Sequence, residues 1–207
     1  MALALMVLVL TAAMDSWIRV NDTVLPEQRR REVHDFLIGG SGVPWRFGWK
    51  SRAKQDPFAF WHRHFAGFRD VAEENDAYDC EPELEAVPLI LDVWRHLASQ
   101  LLVGHRLIRC YANGLTYGSD GTLHSDSSLP NTYTTVYYPH EIWSPDWGGE
   151  TMFFNPERND VVACVYPKPN RLLTFDGRVW HVARGLSRIC PVLRVTLMFK
   201  TDTKDAG

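Results

Sequence analysis

The chain lacks the features that mark most secreted, nucleic-acid-binding and zinc-ribbon proteins. Its four cysteines, Cys80, Cys110, Cys164 and Cys190, lie far apart and form no C-x-x-C pair, which argues against a zinc ribbon and against a disulfide framework. The 22 Lys and Arg residues are nearly balanced by 25 Asp and Glu residues, so the basic excess that phosphate recognition requires is missing. We therefore expect a cytoplasmic protein with reduced, mostly buried thiols and with neither a nucleic-acid nor a membrane partner.

Long apolar runs are also scarce, and the clearest one is residues 1–14. This run has no positively charged start and no convincing small-residue cleavage site, so a secretory signal is not indicated. It is too short to span a bilayer. We expect an apolar N-terminal extension, which could be an extra strand or helix, a disordered tail, or upstream sequence that precedes a true start at Met14.

No repeat and no low-complexity linker divides the 207 residues, of which 45% are hydrophobic. That composition suits one sizeable core, so we predict a single domain covering residues 1–207. Residues 15–104 have a mainly helical pattern and should support the rest. Within them, apolar spacing and end signals predict helices at 26–38, 57–74 and 83–102.

The pattern changes at residue 105 to short β-type runs separated by Gly, Pro, Asn and Asp. Strands are predicted at 106–111, 131–138, 150–154, 161–166, 171–175 and 193–200. Many short strands at close spacing favour a closed or double-sheet architecture. The predicted fold class is therefore mainly β with flanking helices (α+β), with a jelly-roll core at 105–200.

Eight histidines raise the question of which could bind a metal. His124 and Asp126 are two residues apart beside a strand-like run, and in extended backbone such residues project to the same face. His62 and His64 have the same spacing inside a predicted helix, where their rings would diverge, so we expect them to be surface or packing residues. His181, after another strand-like run, is the best third ligand, because two imidazoles and one carboxylate form the facial triad of non-haem iron(II) oxygenases.

Besides the candidate histidines, several longer stretches of the β-rich half resemble a known protein family. They are CYANGLTYGSDGTLHSD (110–126), WGGETMFF (147–154), PKPNRLLTFDGRVWHVARGLS (167–187) and LRVTLMFK (193–200). Together and in this order they resemble the prolyl 4-hydroxylase-like branch of the 2-oxoglutarate and iron(II)-dependent dioxygenases. The resemblance implies a double-stranded β-helix as the catalytic core.

The resemblance also implies residue roles. His124, Asp126 and His181 would bind iron(II), and Arg194 would pair with the distal carboxylate of 2-oxoglutarate, since its planar fork can hold a carboxylate bidentately. Thr196 would add a hydroxyl hydrogen bond. Tyr111 and Tyr117 would line the cosubstrate pocket. The glycines of G-G-E-T at 148–151 would form a tight bend.

The implied activity is hydroxylation of a peptidyl proline, an amino acid or a small molecule, with 2-oxoglutarate and O2 consumed, succinate and CO2 released, and ascorbate as a possible reductant. Asp126 stands where halogenating relatives have a small residue, which favours hydroxylation. A zinc-dependent hydrolase or lyase and a non-catalytic double-sheet binding module remain alternatives. The segment 138–147 is the preferred substrate-contact loop, whereas the aromatic-rich segment 45–61 could be core or a pocket wall.

Overall fold

The computed structural model describes residues 17–40, 44–51, 56–68 and 78–203. The predicted N-terminal extension lies outside these residues. The helices are α1 (Glu27–Leu37) and α2 (Pro88–Gln100), with 3-10 turns at Glu81–Ala86 and Pro145–Trp147. The strands are β1 (Ile18–Asp22), β2 (Arg46–Trp49), β3 (Phe60–Ala66), β4 (His105–Leu115), β5 (Thr132–Tyr137), β6 (Thr151–Phe154), β7 (Val161–Val165), β8 (Arg171–Asp176), β9 (His181–Ala183) and β10 (Arg194–Thr203).

Two antiparallel sheets form the core of the described chain. The larger has seven strands in the order β1-β8-β5-β10-β4-β3-β2, and the smaller has three in the order β7-β6-β9. Several neighbouring strands, such as β1 and β8 or β4 and β10, are distant in the sequence, as in a jelly roll. The fold class predicted from the sequence, a double-sheet β core with flanking helices, is confirmed.

Helices α1 and α2 cover one face of the large sheet. Val33 and Leu37 of α1 and Trp94 of α2 are fully or almost fully buried in the same apolar cluster as Phe199 of β10. Trp94 stacks on Phe199 with ring centroids 5.7 Å apart. The helix predictions at 26–38 and 83–102 are confirmed, apart from the 3-10 turn that occupies the start of the second segment.

The helix predicted at 57–74 is wrong in its described part. Residues Phe60–Ala66 instead form strand β3, which pairs antiparallel with β4 in a register that places His62 opposite Asn113 and His64 opposite Tyr111. Pairing along a sheet edge outweighs the weak helical spacing, since strand formation depends strongly on such neighbours. The N-terminal half therefore supplies three strands as well as the helices.

A second apolar cluster lies between the two sheets. It includes Phe153 of β6, Phe175 of β8 and Tyr111 of β4, and the rings of Phe153 and Phe175 meet edge to face with centroids 5.0 Å apart. Because successive strand residues alternate between faces, the same alternation that buries this cluster directs polar residues of β4 and β10 into the space between the sheets.

Two smaller points concern the burial of the thiols and the character of the helices. Cys80 and Cys110 are buried, but Cys164 is exposed and Cys190 is intermediate, so the expectation of mostly buried thiols holds for half of them. Among the residues described, no helix combines the length and apolar character needed to cross a membrane.

Candidate active site

His124, Asp126 and His181 converge between the sheets. One ligand atom from each residue lies within 4.8 Å of the other two. His124 Nε2 is 3.4 Å from Asp126 Oδ1, and His181 Nε2 is 3.4 Å from Asp126 Oδ2. The structure thus brings together three side chains that are up to 57 positions apart in the sequence, from 124 to 181.

Backbone hydrogen bonds fix this convergence. The His124 N–H donates to the His181 carbonyl at 3.1 Å, and the His181 N–H donates to the His124 carbonyl at 2.8 Å. The Asp126 N–H donates to the Gly177 carbonyl at 2.8 Å. These bonds tie the segment before β5 to the turn and strand after β8, so the relative position of the three side chains depends on main-chain pairing.

Both imidazoles are oriented by carbonyl groups. His124 Nδ1 lies 2.6 Å from the Thr122 carbonyl oxygen, and His181 Nδ1 lies 2.9 Å from the Val179 carbonyl oxygen. A carbonyl oxygen only accepts, so each Nδ1 carries the hydrogen, and in the neutral form of either ring Nε2 is the nitrogen with the lone pair. Metal-binding histidines are usually held by such a second hydrogen bond.

The carboxylate of Asp126 is held by two partners from the large sheet. Thr134 Oγ1 donates to Asp126 Oδ2 at 2.6 Å. Lys200 Nζ donates to the same carboxylate oxygen, and also to Thr134 Oγ1 at 2.7 Å. Burial alone would favour the neutral acid, but the charge of Lys200 and the contacts with the two histidines hold the pKa of Asp126 well below its usual range.

The protonation states of His181 and Asp126 favour the binding of a cation. Burial lowers the pKa of His181 to about 4, against the opposing influence of Asp126, so its ring is neutral near pH 7. Octahedral ligands at about 2.1 Å from a metal lie about 3 Å apart, close to the 3.4 Å separations between Nε2 and carboxylate oxygens. The neutral imidazole of His181, the ionised carboxylate of Asp126 and the second imidazole at His124 therefore fit a first-row divalent metal.

Arg194, at the start of β10, is buried to 2% exposure and lines the same cavity as the three residues above. Its Nε donates to the Gly149 carbonyl at 2.6 Å, and its guanidinium carbon lies 5.7 Å from the centre of the Tyr138 ring. Burial lowers the pKa of Arg194, although a guanidinium remains a cation at neutral pH. No carboxylate among the described residues forms an ion pair with it.

The bend at Gly148 and Gly149 is what allows this approach. Both residues have positive φ, 70° and 82°, as expected for a tight glycine bend. A Cβ on Gly149 would lie 2.8 Å from Arg194 Cδ. The glycine therefore serves the position of the arginine as well as the turn.

The other residues predicted for the pocket divide into two groups. Thr196 and Tyr111 are buried and line the cavity. Tyr117 does not line it: its side chain is 58% exposed and stacks under Arg188 at 5.9 Å. The pocket role predicted for Tyr117 is corrected, because the chain has left β4 at Leu115 and its inward and outward alternation no longer applies.

Sequence reasoning missed three residues of the site. Tyr138 is fully buried beside Arg194, and its phenol hydroxyl lies 3.0 Å from Thr151 Oγ1. Lys200 and Thr134 hold Asp126. The period-2 alternation of β5 would have placed Thr134 and Val136 on one face, and that of β10 would have placed Lys200 on the same face as Arg194. Alternation does not show which side chain on another strand each of these residues contacts.

His62 and His64 are packing residues, as expected, but they lie on strand β3 and not on the predicted helix. Because β3 is a strand, His62 and His64 project to the same side, with ring centroids 5.4 Å apart. Trp49 packs on His64 at 4.8 Å, and Trp49 and Phe60 line the cavity. Burial lowers the pKa of His64 to about 3, so an uncharged ring packs against Trp49 near pH 7. Part of the aromatic segment 45–61 is thus a pocket wall.

The cavity has a volume of about 730 Å³, within the range of small-molecule sites. Its lining also includes most residues between 125 and 134, Arg109 of β4 and Asp202 of β10, and we call this part of the lining the rim. No residue of 138–147 lines it, and Trp143 in that segment is buried against Trp147 instead. The cavity lining therefore gives no support to the prediction that this loop contacts substrate, which stays a prediction.

Comparison with known proteins connects this geometry with a fold. No protein-family model and no curated protein matches the sequence. Among solved structures, a Trichoplax adhaerens prolyl hydroxylase in complex with a hypoxia inducible factor oxygen degradation domain peptide is 17% identical, with a TM-score of 0.63 over 94% of this chain and 87% of that chain.

Two further structures agree with it. A 2OG-Fe(II) oxygenase family oxidoreductase from Burkholderia pseudomallei has a TM-score of 0.62 and 13% identity over 93% of this chain and 88% of that chain. The viral collagen prolyl hydroxylase of Paramecium Bursaria Chlorella virus-1, solved as a 2OG complex, has a TM-score of 0.54 and 12% identity over 91% of this chain and 97% of that chain. The chain therefore has the fold of the prolyl hydroxylases and 2OG-Fe(II) oxygenases that its motifs resemble.

Proposed function

We propose that the chain is a 2-oxoglutarate-dependent non-haem iron(II) dioxygenase that hydroxylates an organic substrate. The observation that carries the proposal is a single cavity that contains two imidazoles and a carboxylate at metal-ligand separations together with a buried arginine that has no carboxylate partner among the described residues. In the proposed reaction one atom of O2 enters a substrate C–H bond, the other enters succinate, and CO2 leaves.

His124, Asp126 and His181 would hold the iron, which when bound activates O2 for oxidation of the cosubstrate and the substrate. The chain's own contribution begins with preparing the ligands. The Thr122 and Val179 carbonyls aim both Nε2 lone pairs inward. Thr134 and Lys200 hold the Asp126 carboxylate in one orientation, and they are proposed as positioning residues.

Arg194 would bind the distal carboxylate of 2-oxoglutarate. Its Nε donates to the Gly149 carbonyl and its side chain also hydrogen-bonds with Tyr138, so the remaining N–H groups of its terminal nitrogens are the donors for a ligand. Thr196 lies two residues along the same strand and also faces the cavity. Tyr111, which lines the cavity, is proposed to contribute a phenol hydroxyl near the cosubstrate, and Tyr138, which does not line it, is proposed to position Arg194. Burial raises the pKa of both tyrosines, which keeps their hydroxyls protonated.

The alternatives have less support. A zinc hydrolase or lyase could use the same three ligands, but it would have no use for a buried arginine in the same cavity. A binding module without chemistry would have no need for two histidines oriented by carbonyl groups and a lysine held against the carboxylate between them. The proposed substrate is a peptidyl proline, an amino acid or another small molecule, and ascorbate is the proposed reductant.

Anaerobic addition of iron(II) and 2-oxoglutarate tests the proposal. We expect a weak visible charge-transfer band, followed on admission of O2 by succinate release even without substrate. Asp126→Ala should abolish both signals. Asp92→Ala is the matched control, since Asp92 lies on the surface of α2 in an ion pair with Arg29 and does not line the cavity.

Two results would contradict the proposal. One is a wild-type protein that binds iron(II) and 2-oxoglutarate but releases no succinate in air. The other is an Asp126→Ala protein that retains the band at wild-type intensity.

A further inference from the structure

The rim of the cavity carries an arginine that the proposed reaction does not use. Arg109 of β4 lies directly opposite Lys200 of β10 in the antiparallel register, and directly opposed residues project to the same face of a sheet. Both side chains line the cavity that contains Asp126. Arg109 therefore lies on the substrate side of the proposed metal site, within one strand spacing of a residue that contacts a proposed ligand.

Arg109 has no hydrogen-bond or ion-pair partner among the described residues, unlike two other arginines of the large sheet. Arg106, three residues earlier on the same strand, pairs with Asp202, and Arg171 pairs with Asp22. No hydrogen bond or ion pair joins Arg109 to any residue that the structure describes, although its side chain is only of intermediate exposure. Holding a guanidinium in a half-buried place without a counter-charge costs free energy unless a ligand supplies that charge.

The charges around the rim leave a positive excess. Asp126 is matched by Lys200, and Asp202 is matched by Arg106. Lys50 also lines the cavity, and its Nζ donates to a carbonyl oxygen, that of Asp56, at 2.8 Å. Arg109 and Lys50 are therefore cations in the cavity lining that no carboxylate of the described chain neutralises.

Resting on the proposed function, we propose that the substrate is a small organic acid whose carboxylate binds Arg109 while its reacting carbon faces the metal site. One guanidinium fork matches one carboxylate. The aromatic wall of Trp49 and Phe60 suits an apolar body between that carboxylate and the reacting carbon. A neutral peptidyl proline would leave Arg109 without a counter-charge.

The test compares each acid with its own amide, which has nearly the same shape and no charge. The panel is L-proline, L-leucine, N-acetyl-L-proline and 3-phenylpropionate, each beside its primary amide. Succinate release is measured with iron(II), 2-oxoglutarate and O2. In parallel, calorimetric titration into protein loaded with manganese(II) and 2-oxoglutarate measures binding alone, which does not depend on turnover.

At least one acid should bind and stimulate succinate release about ten-fold or more better than its amide, the usual size of a charge-assisted contact in a partly buried site. Arg109→Gln should remove that acid-over-amide ratio, and Arg109→Lys should keep part of it. Arg95→Gln is the control for loss of one positive charge, because Arg95 lies on the surface of α2, pairs with Glu81 and does not line the cavity. Its ratio should equal that of the wild type.

The proposal is overturned if amides match their acids in both assays, if Arg109→Gln keeps the wild-type ratio while remaining folded, or if no acid binds at millimolar concentration. It is also overturned if a proline-containing peptide with blocked termini outperforms every acid. These results differ from failure of the proposed function, in which the wild type releases no succinate with or without any compound while the calorimetric preference for acids can persist.

Discussion

Replacement of Arg194 by methionine should separate a ligand-binding arginine from a structural one. Methionine keeps much of the buried volume but removes the charge and the fork. Truncating one member of a buried, hydrogen-bonded charge pair costs about 2 to 5 kcal/mol, which is a loss of about 30-fold to several thousand-fold in affinity. We expect the KM for 2-oxoglutarate to rise by at least the lower figure.

In the absence of 2-oxoglutarate, the free energy of unfolding of Arg194→Met should be higher than that of the wild type or equal to it. The variant loses the hydrogen bond from Arg194 Nε to the Gly149 carbonyl, a loss of about 1 kcal/mol. It also removes a charge on a side chain that is only 2% exposed, and burying a charge without an opposite charge beside it costs several kcal/mol. The free energy of unfolding in urea should therefore be equal to or higher than that of the wild type.

Succinate release against 2-oxoglutarate concentration gives the KM, and urea denaturation without metal or cosubstrate gives the stability. Arg194→Lys keeps the charge but not the bidentate fork, so its KM should lie between those of the other two proteins. A KM within about three-fold of the wild type in Arg194→Met, or a fall of more than about 3 kcal/mol in its stability, would refute the assignment of this arginine to the cosubstrate.

Three further predictions concern the scaffold. Gly149→Ala should raise the KM for 2-oxoglutarate, because the new Cβ would lie 2.8 Å from Arg194 Cδ. Gly118 has the same φ of 82° but open space around it, so Gly118→Ala should leave the KM unchanged. Steady-state assays of both variants check this. Trp94→Ala should lower the free energy of unfolding by about 3 to 5 kcal/mol, measured in urea, because a fully buried ring is lost. Asp22→Asn should cost about 1 kcal/mol or less at pH 7, because its ion pairs are exposed. Hydrogen bonding to Arg171 lowers the pKa of Asp22 to about 2. Its contribution to the free energy of unfolding should therefore be complete above about pH 4 and lost as the pH falls through 2. Equal profiles of stability against pH in the wild type and in Asp22→Asn would contradict this.

The local pattern was sufficient for most elements of the fold. Alternation and turn residues predicted the strands around β4, β5, β6, β7, β8 and β10, and apolar spacing predicted α1 and α2. Each of these elements buries one face, so its apolar residues recur with the period of a helix or of a strand. The helix predicted at 57–74 is wrong over Phe60–Ala66, because strand β3 there forms by pairing with β4, and that pairing is not visible in the local sequence.

The candidate site divides in the same way. The sequence by itself determined the chemical character of the centre, because the motifs around His124, Asp126, His181 and Arg194 bear the resemblance to iron(II) and 2-oxoglutarate enzymes. Only the tertiary structure decided what surrounds them. Lys200 reaches Asp126, Tyr138 flanks Arg194 and Tyr117 faces solvent. Strand order and register bring together residues far apart in the chain, and the sequence of each strand records which face is buried but not which partner lies across it.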